Sequence, residues 1–380
     1  MPVLPPLRVV IAPDSFKGSV SATQATTAIA AGLRRVWPEA DLRFVPLADG
    51  GEGTLDAVLS AGGQRGTARV SGADQAPVEA AYGVIAADTA VIEIAQVVGL
   101  TRENVAAHPV EERSTRGVGE LIRRLLDAGI RRIMIGLGGS STNDGGAGLL
   151  MGLGLRLAAA DGRTVEPTPA GLAALAGVDT SGLDPRLAQT HMTIMSDVNN
   201  PLCGEQGATA VFGPQKGVRP EAVQEIDARL AHFAALVEAA FGRHAKDRPG
   251  AGAAGGLGFV LLLLGGELRS GAEVVADLLG LDAALDGANW LITGEGRSDR
   301  QTLLGKTPLV AARRAALKGV PATLVSGAID RHALPELSRY FAGCHSITFG
   351  PATLEASMAD AAGLLADRAE QLARVFRAGR

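Results

Sequence analysis

Cysteine, histidine and aromatic residues are scarce in this chain, and each shortage excludes a class of protein. Two cysteines in 380 residues are too few for a disulfide scaffold or a four-cysteine zinc site. The six histidines are scattered without metal-ligand spacing. Aromatic residues make up only 3% of the sequence, which leaves little for surfaces that stack bases or sugars. These shortages favour a reducing compartment and chemistry without a zinc centre.

A surplus of positive charge and a long hydrophobic run are also missing. The net charge is −4, whereas a nucleic-acid binder concentrates positive charge on one face. The longest aliphatic run, residues 259–264, is too short to span a bilayer. The first residues run directly into Asp14 without the pattern of a secretory signal. We therefore expect a cytoplasmic protein with no nucleic-acid and no membrane partner.

Glycine and hydrophobic residues are abundant instead. The chain has 50 glycines, nearly twice the usual share of about 7%. Hydrophobic residues make up 47%, enough to bury a large core. The length predicts roughly two to three domains.

Both ends of the chain show the alternation of strands and helices that is typical of α/β proteins. Residues 9–12 form a short apolar run, and Ser21 with Gln24 forms a capping box at the start of a helix. Strands are predicted at 9–12, 42–46, 290–293, 322–325 and 346–349, and helices at 308–317 and 358–376.

The middle of the chain has a different pattern. Residues 67–98 alternate short extended runs with turns and predict antiparallel strands without a helix. Helical periodicity at 118–126 and 223–241 and strands at 132–137 and 191–196 follow. We predict one parallel α/β domain built from residues 1–66 and 286–380, with a mixed α/β domain, residues 67–285, inserted between them.

Acids, lysines and glycines recur where predicted strands end, which is where open parallel sheets bind ligands. In the terminal segments these residues are Asp14, Ser15, Lys17, Asp49, Glu295 and Asp299. In the inserted segment they are Gly139, Ser140, Ser141, Thr142, Asn143, Asp144, Asp197, Asn199 and Lys216. Phosphoryl transfer needs such parts: amides and lysines for phosphates, acids for magnesium, and an acid to deprotonate a hydroxyl group.

Simpler interpretations remain open for single residues. Asp14 or Asp197 alone could cap a helix, and Glu295, Arg297 and Asp299 could form only an ion-pair cluster. Familiar nucleotide motifs fail: residues 305–307 resemble the end of a P-loop, but the earlier glycine is missing. The glycine fingerprint at 250–255 does not follow a strand.

Taken together, six stretches resemble the bacterial glycerate kinase family of the glycerate 2-kinase type. They are residues 11–18, 48–54, 138–146, 197–204, 212–217 and 292–296. The resemblance implies ATP-dependent phosphorylation of D-glycerate at the 2-hydroxyl group, giving 2-phosphoglycerate. It also implies a flavodoxin-like domain joined to the inserted domain, with the site in the cleft between them. The residue types alone leave 3-phosphoglycerate open as the product.

Roles for the polar residues follow as hypotheses. Asp197 is the first choice for the general base, with Asp14 and Asp49 as further catalytic candidates. Ser15, Lys17 and Asn199 would bind the substrate, with Lys17 holding its carboxylate. Gly139, Ser140, Ser141, Thr142, Asn143 and Lys216 would hold the ATP phosphates, and Glu295, Asp299 and Asp144 would organise Mg²⁺.

Two other functions remain as alternatives. One is a nucleotide-dependent oxidoreductase of a small hydroxy acid, disfavoured by the misplaced glycine fingerprint. The other is a non-catalytic hydroxyacid-binding protein, disfavoured by the number of acidic and basic loops. The sequence leaves the oligomeric state open, with a homodimer as one option.

Overall fold

A computed structural model describes residues 7–100, 105 and 107–378. The strands are β1 (Arg8–Ile11), β2 (Asp41–Phe44), β3 (Gln64–Ser71), β4 (Pro77–Ala86), β5 (Thr89–Glu93), β6 (Arg132–Gly136), β7 (Arg156–Ala158), β8 (Gly177–Asp179), β9 (His191–Met195), β10 (Glu267–Arg269), β11 (Trp290–Thr293), β12 (Arg297–Ser298), β13 (Ala322–Ser326), β14 (Ala328–Ile329) and β15 (Gly343–Ser346).

The α-helices are joined to the strands by short 3-10 turns and loops. They are α1 (Ala22–Arg34), α2 (Thr54–Ser60), α3 (Ala95–Val98), α4 (Arg116–Asp127), α5 (Ala147–Gly152), α6 (Ala208–Lys216), α7 (Val223–Phe241), α8 (Leu257–Leu263), α9 (Gly271–Leu278), α10 (Leu281–Leu285), α11 (Thr307–Leu317), α12 (Leu334–Leu337), α13 (Leu354–Ala359) and α14 (Ala361–Ala378). Among the described residues, no helix is long and apolar enough to cross a membrane.

The chain divides into two compact units. The terminal unit comprises Met1–Asp49, Asp56–Ala61 and Ala272–Arg380, and the inserted unit comprises Gly50–Leu55 and Gly62–Gly271. The boundaries expected from the sequence, after residues 66 and 285, stay a prediction.

The terminal unit is built on a five-stranded sheet in the order β2-β1-β11-β13-β15. Each neighbouring pair is parallel, with Val9 opposite Trp290 across the β1–β11 pair. Counted along this unit alone, the order is 2-1-3-4-5, which is the flavodoxin-like arrangement. The predicted class, a parallel α/β domain assembled from both ends of the chain, is therefore confirmed. All five strands point their carboxyl ends toward the same edge.

Helices α1 and α14 cover one face of this sheet. The predicted capping box is present: Ser21 accepts from the Gln24 amide, and Gln24 accepts from the Ser21 amide. A Cβ atom at Gly32 would lie 2.0 Å from the Ala366 carbonyl oxygen, so the close contact between the helices requires glycine there. Trp290 stacks on Phe376 of α14, with ring centroids 4.5 Å apart.

The inserted unit contains a six-stranded mixed sheet in the order β10-β9-β6-β5-β4-β3. Strands β3, β4 and β5 are antiparallel, as the sequence predicts for this segment. Strands β5, β6, β9 and β10 are parallel. The unit has its own hydrophobic core, which includes the apolar face of α7 around Leu230 and Phe233.

Two predicted elements differ in the structure. The strand predicted at residues 346–349 lies earlier in the chain: β15 covers Gly343–Ser346, and residues 347–349 are outside it. This edge strand is polar and half-buried, while Ile347 packs into the core from the following loop. The segment predicted to lack a helix contains α3, a single turn after β5.

Candidate active site

A cavity of about 890 Å³ lies at the carboxyl ends of the strands in the terminal unit. Its lining includes residues from the loops that follow all five strands: Asp49 after β2, Asp14 after β1, Glu295 after β11, Ala328 after β13 and Ile347 after β15. This position is where open parallel sheets bind their ligands. The cavity therefore gives the polar strand-end residues a common location.

Asp14 and Glu295 are the two buried acids in this lining, each with 7% of its surface exposed. The Ser15 amide donates to Asp14 Oδ1 at 2.6 Å, and the Thr307 hydroxyl donates to Asp14 Oδ2 at 2.8 Å. Burial, reinforced by the negative charge of Asp49, raises the pKa of Asp14 to about 7, against the lowering effect of both hydrogen bonds. A carboxyl group with this pKa can both take and release a proton near neutral pH.

Glu295 is held on one side by hydroxyl groups. The Ser298 and Thr302 hydroxyls donate to Oε1 at 2.9 Å and 2.7 Å, and the Ser298 hydroxyl also bonds to that of Ser326. Its other oxygen, Oε2, lies 4.0 Å from the Lys306 ammonium group. Burial is the main reason that the pKa of Glu295 is raised. The carboxylate is thereby fixed in orientation beside a cation.

Two lysines supply positive charge to the cavity lining. Lys17 has a largely exposed side chain whose Nζ lies 3.9 Å from Asp49 Oδ2. Lys306 directly precedes α11, so its ammonium group and the amino end of that helix carry the same sign of charge. Both side chains are long and flexible enough to bind an anionic ligand.

Asp299, predicted as a metal ligand, has the contacts of a helix cap. Its side chain accepts from the Gln301 amide at 2.8 Å and caps the short helical turn that follows. Arg297 lies 3.6 Å from its Oδ2 atom. The cavity lining includes Glu295 but not Asp299, so the simpler interpretation, a cap with an ion pair, fits the contacts of Asp299.

The hydroxyl-rich segment after β6 lies in the inserted unit, and its side chains are buried. Lys216 is 4% exposed, and its ammonium group donates to the Ser140 hydroxyl at 2.9 Å and the Thr142 carbonyl at 2.8 Å. The Ser141 hydroxyl donates to the Val98 carbonyl, and the Asn143 amide group donates to the Thr209 hydroxyl. Most of the groups that the sequence predicts to bind phosphate therefore have partners within the inserted unit, whereas Thr142 Oγ1 and Asn143 Oδ1 are buried without a hydrogen-bond partner among the described residues.

Asp144 completes this buried network. Its carboxylate accepts from the Thr115 amide and hydroxyl, both at 2.8 Å, and from the amides of Gly146 and Gly148. Burial raises the pKa of Asp144 despite these four donors. Both oxygens accept hydrogen bonds inside the inserted unit, which is a structural role, and the metal-binding role expected from the sequence stays a prediction.

The remaining predicted residues also belong to the inserted unit. Asp197 and Asn199 are exposed in the loop after β9, and Gly139 adopts a positive φ of 73° at the start of the hydroxyl-rich segment. The structure thus brings Asp14, Ser15, Lys17, Asp49 and Glu295 together in one cavity.

Sequence reasoning missed the residues that support the two acids. Thr307 is the hydroxyl donor to Asp14, and Ser298 and Thr302 are the donors to Glu295. The signal for Thr307 was the partial likeness of residues 305–307 to a P-loop, and its neighbour Lys306 also stands a little downstream of the acidic loop after the strand at 290–293. That likeness fails as a motif, yet it marks a lysine and a hydroxyl at the start of a helix beside the cavity.

The acids of the cavity could bind Mg²⁺ only together with the phosphate groups of a bound substrate. Within the part of the chain that the structure describes, no group of three or more acids, histidines or cysteines could hold a metal ion. Magnesium is usually bound by one or two carboxylates together with substrate phosphates and water. Glu295 and Asp49 are carboxylates of the required kind, and they line the same cavity.

Comparison with known proteins gives a consistent result over nearly the whole chain. The sequence pattern of the glycerate kinase family matches residues 9–377. Glycerate kinase from Bacillus subtilis (strain 168) is 42% identical over 370 residues, covering 97% of each chain. Glycerate 2-kinase from Escherichia coli (strain K12) is 41% identical over 327 residues, covering 85% of this chain and 86% of the other.

A solved structure agrees with these sequence matches. The crystal structure of a protein from Salmonella typhimurium LT2, described as a candidate glycerate kinase 2, superposes with a TM-score of 0.87 and 41% identity. The match covers 99% of both chains. From the family pattern, the relatives and the shared fold together, the chain belongs to the glycerate kinase family and is a phosphotransferase.

Proposed function

We propose that the protein transfers the γ-phosphoryl group of ATP to the 2-hydroxyl group of D-glycerate, giving 2-phosphoglycerate and ADP. The observation that supports this most is Asp14, a buried acid with its pKa raised to about 7, in a cavity that two lysines also line. Glycerate 2-kinase from Escherichia coli is a relative at 41% identity, which favours the 2-hydroxyl group as the acceptor.

Asp14 is the general base in this proposal, replacing Asp197 as the first choice. Its raised pKa matches the task of accepting a hydroxyl proton near neutral pH. As the glycerate oxygen forms its bond to the γ-phosphorus atom, the bond from phosphorus to the β-phosphate oxygen breaks and the hydroxyl proton passes to Asp14. The Thr307 hydroxyl holds the carboxylate oxygen Oδ2 in place during this step.

The lysines neutralise the two anionic reactants. Lys17, whose ammonium group is largely exposed, binds the carboxylate of glycerate with a charge-assisted hydrogen bond. Lys306 lies beside the helix start and Glu295, and it binds the phosphates of ATP. Mg²⁺, held by Glu295 and Asp49 together with the phosphates, would neutralise negative charge on the transferred group.

Phosphate binding by Lys216 and residues 139–143 is not part of this proposal. The Lys216 ammonium group and the Ser140, Ser141 and Asn143 side chains have partners within the inserted unit. Those hydrogen bonds would have to break before the side chains could reach a ligand.

Phosphorus NMR of a reaction with D-glycerate, ATP and Mg²⁺ tests the proposal. We expect one new phosphomonoester resonance that coincides with added 2-phosphoglycerate, and ADP in equal amount. A resonance that coincides with 3-phosphoglycerate would overturn the choice of hydroxyl group. ADP and inorganic phosphate without any phosphoglycerate would overturn glycerate as the acceptor.

A further inference from the structure

The lining of the cavity changes character along the edge of the sheet. The charged side chains, which include Asp14, Lys17, Asp49 and Glu295, come from the loops after β1, β2 and β11. The loops after β13 and β15 and helix α13 contribute no charged side chain to the lining. Their large apolar members are Ile329, Ile347, Leu354 and Met358. We call this part of the lining the apolar wall.

The hydroxyl groups within the apolar wall are already used locally. The Ser346 hydroxyl donates to the Gly327 carbonyl at 2.9 Å and bonds to the Thr348 hydroxyl. The Ser357 hydroxyl donates to the Thr353 carbonyl at 3.0 Å. The wall therefore offers a ligand mainly apolar contact.

Leu354 lies at the border of the cavity with 76% of the residue exposed, next to the other apolar members of the wall. Large apolar side chains that are exposed beside a pocket commonly mark a ligand-binding surface. A ligand that covers Leu354 would remove that apolar area from water and gain free energy of binding.

The dimensions fit a ligand with one anionic end and one apolar end. In the sheet order, β1 and β15 are three strand spacings apart, or about 14 Å. The cavity volume of about 890 Å³ suits a drug-sized ligand and greatly exceeds what glycerate fills. A nucleoside triphosphate has its phosphates at one end and a flat, largely apolar base at the other, in the same order as the lining.

We propose that the apolar wall binds the purine base of the phosphoryl donor, with its phosphates directed toward Lys306. This inference rests on the proposed function, because ATP is the donor there. It goes further in assigning the base to the terminal unit and to named apolar side chains. The donor site is thereby placed across the loops after β11, β13 and β15.

Substitutions at exposed positions test the assignment without disturbing the core. Ala352→Trp would fill the space beside the wall, and Leu354→Ala would remove its exposed leucine. The matched controls are Ala316→Trp and Leu317→Ala, two exposed residues of α11 in the same unit that do not line the cavity. Leu317 is 87% exposed and lies outside the cavity lining, so replacing it leaves the wall unchanged.

Binding of ATP and of inorganic triphosphate, each measured by calorimetry with Mg²⁺, separates contacts to the base from contacts to the phosphates. We expect Ala352→Trp to weaken ATP binding by about tenfold or more, because the indole ring would occupy the space of the base. Leu354→Ala should weaken it by about threefold, because the loss of a partly buried apolar contact changes affinity by less than full burial of a leucine would. Triphosphate binding and the glycerate KM should stay unchanged, and the controls should match the wild type.

The outcomes distinguish this inference from the proposed function. If Ala352→Trp and Leu354→Ala both bind ATP as the wild type does, or lose ATP and triphosphate affinity equally, the base lies elsewhere and the inference is overturned. If the variants lose affinity for ATP but not for triphosphate, the inference is supported, even when the protein forms no phosphoglycerate. The absence of phosphoglycerate would count against D-glycerate as the acceptor in the proposed function.

Discussion

Two groups of polar residues in this protein look equally functional in the sequence but differ in their hydrogen bonding. In the inserted unit, Asp144 and Lys216 are enclosed, and their polar atoms bind groups of the same unit. In the terminal unit, Asp14 and Glu295 each line a cavity, and the second oxygen of Glu295 faces Lys306 across 4.0 Å. A buried acid or lysine becomes a candidate for chemistry only when its position also gives a ligand access.

Both groups have shifted pKa values, and burial is the main cause in each. The pKa of Asp14 is raised to about 7, and that of Lys216 is lowered to about 7. The pKa shifts alone would therefore make Asp14 and Lys216 equally good candidates for a functional role. Access to the cavity separates them, and the following predictions test that separation, beginning with the largest expected effect.

The base itself gives the strongest contrast. Asp14→Asn removes the group that accepts the proton but keeps a side chain of similar size, so kcat should fall by about 10²- to 10⁴-fold. The KM for ATP should change little, and circular dichroism should show a folded protein. The matched variant Asp197→Asn should retain most of its kcat; if Asp197→Asn instead shows the larger loss, Asp197 is the base.

The two lysines should respond differently to loss of charge. Lys306→Met should raise the KM for ATP by about tenfold or more, since a charge-assisted contact contributes roughly 1.5–3 kcal/mol. Lys216→Met should leave that KM near the wild-type value. Steady-state kinetics on both variants measures the difference, and a larger ATP effect at Lys216 would restore the phosphate-binding role expected from the sequence.

Lys216 should instead affect the pH dependence of stability. The folded protein loses the Lys216 proton above about pH 7, while the unfolded chain retains it up to its ordinary pKa of 10.5. The unfolded state then binds more protons between these values, so the free energy of unfolding should rise with pH by up to about 1.4 kcal/mol per unit. Urea unfolding from pH 7 to 9 should show this rise in the wild type, relative to Lys216→Met.

Asp144 should matter for folding more than for catalysis. Asp144→Ala leaves buried amides of Thr115, Gly146 and Gly148 without their acceptor, which should lower the free energy of unfolding by about 2–4 kcal/mol. Urea unfolding measures the loss. The kcat of the fraction that remains folded should stay close to the wild-type value, and a loss of kcat without a loss of stability would contradict the structural role.

The smallest effect is expected for the residue that positions the base. Thr307→Val removes the hydrogen bond that lowers the pKa of Asp14, so the pKa should rise further. Since the ionised carboxylate accepts the proton, kcat/KM should increase through about pH 7 in the wild type and at higher pH in the variant. Thr307→Ser should restore the wild-type profile, whereas an unshifted profile in Thr307→Val would exclude the positioning role.

The sequence was sufficient to predict the fold of the terminal unit because the signals there are local. The capping box at Ser21 and the apolar runs of β1 and β11 do not depend on distant residues. The parallel order then brings Asp14 and Glu295 to one edge of the sheet, as expected. The bounds of β15 were predicted wrongly because an edge strand with polar, half-buried residues has no apolar pattern.

The details of the site could not be predicted in the same way. The Thr307 hydroxyl meets Asp14 across 293 positions in the sequence, and no local pattern encodes such a contact. The ligand-binding role expected for residues 140–144 stays a prediction, since the number of polar side chains in a sequence does not reveal which of them bind other groups of the protein. The burial of Lys216 depends on tertiary packing around it.

The pairing of β1 with β11 has a consequence for synthesis on the ribosome. Val9 lies opposite Trp290, so β1 and its other neighbour β2 emerge long before β11 exists. The inserted unit has its own core and can bury it during translation, as N-terminal and self-contained units commonly do. The sheet of the terminal unit, and with it the cavity at its edge, can be completed only after β11, β13 and β15 have been synthesised.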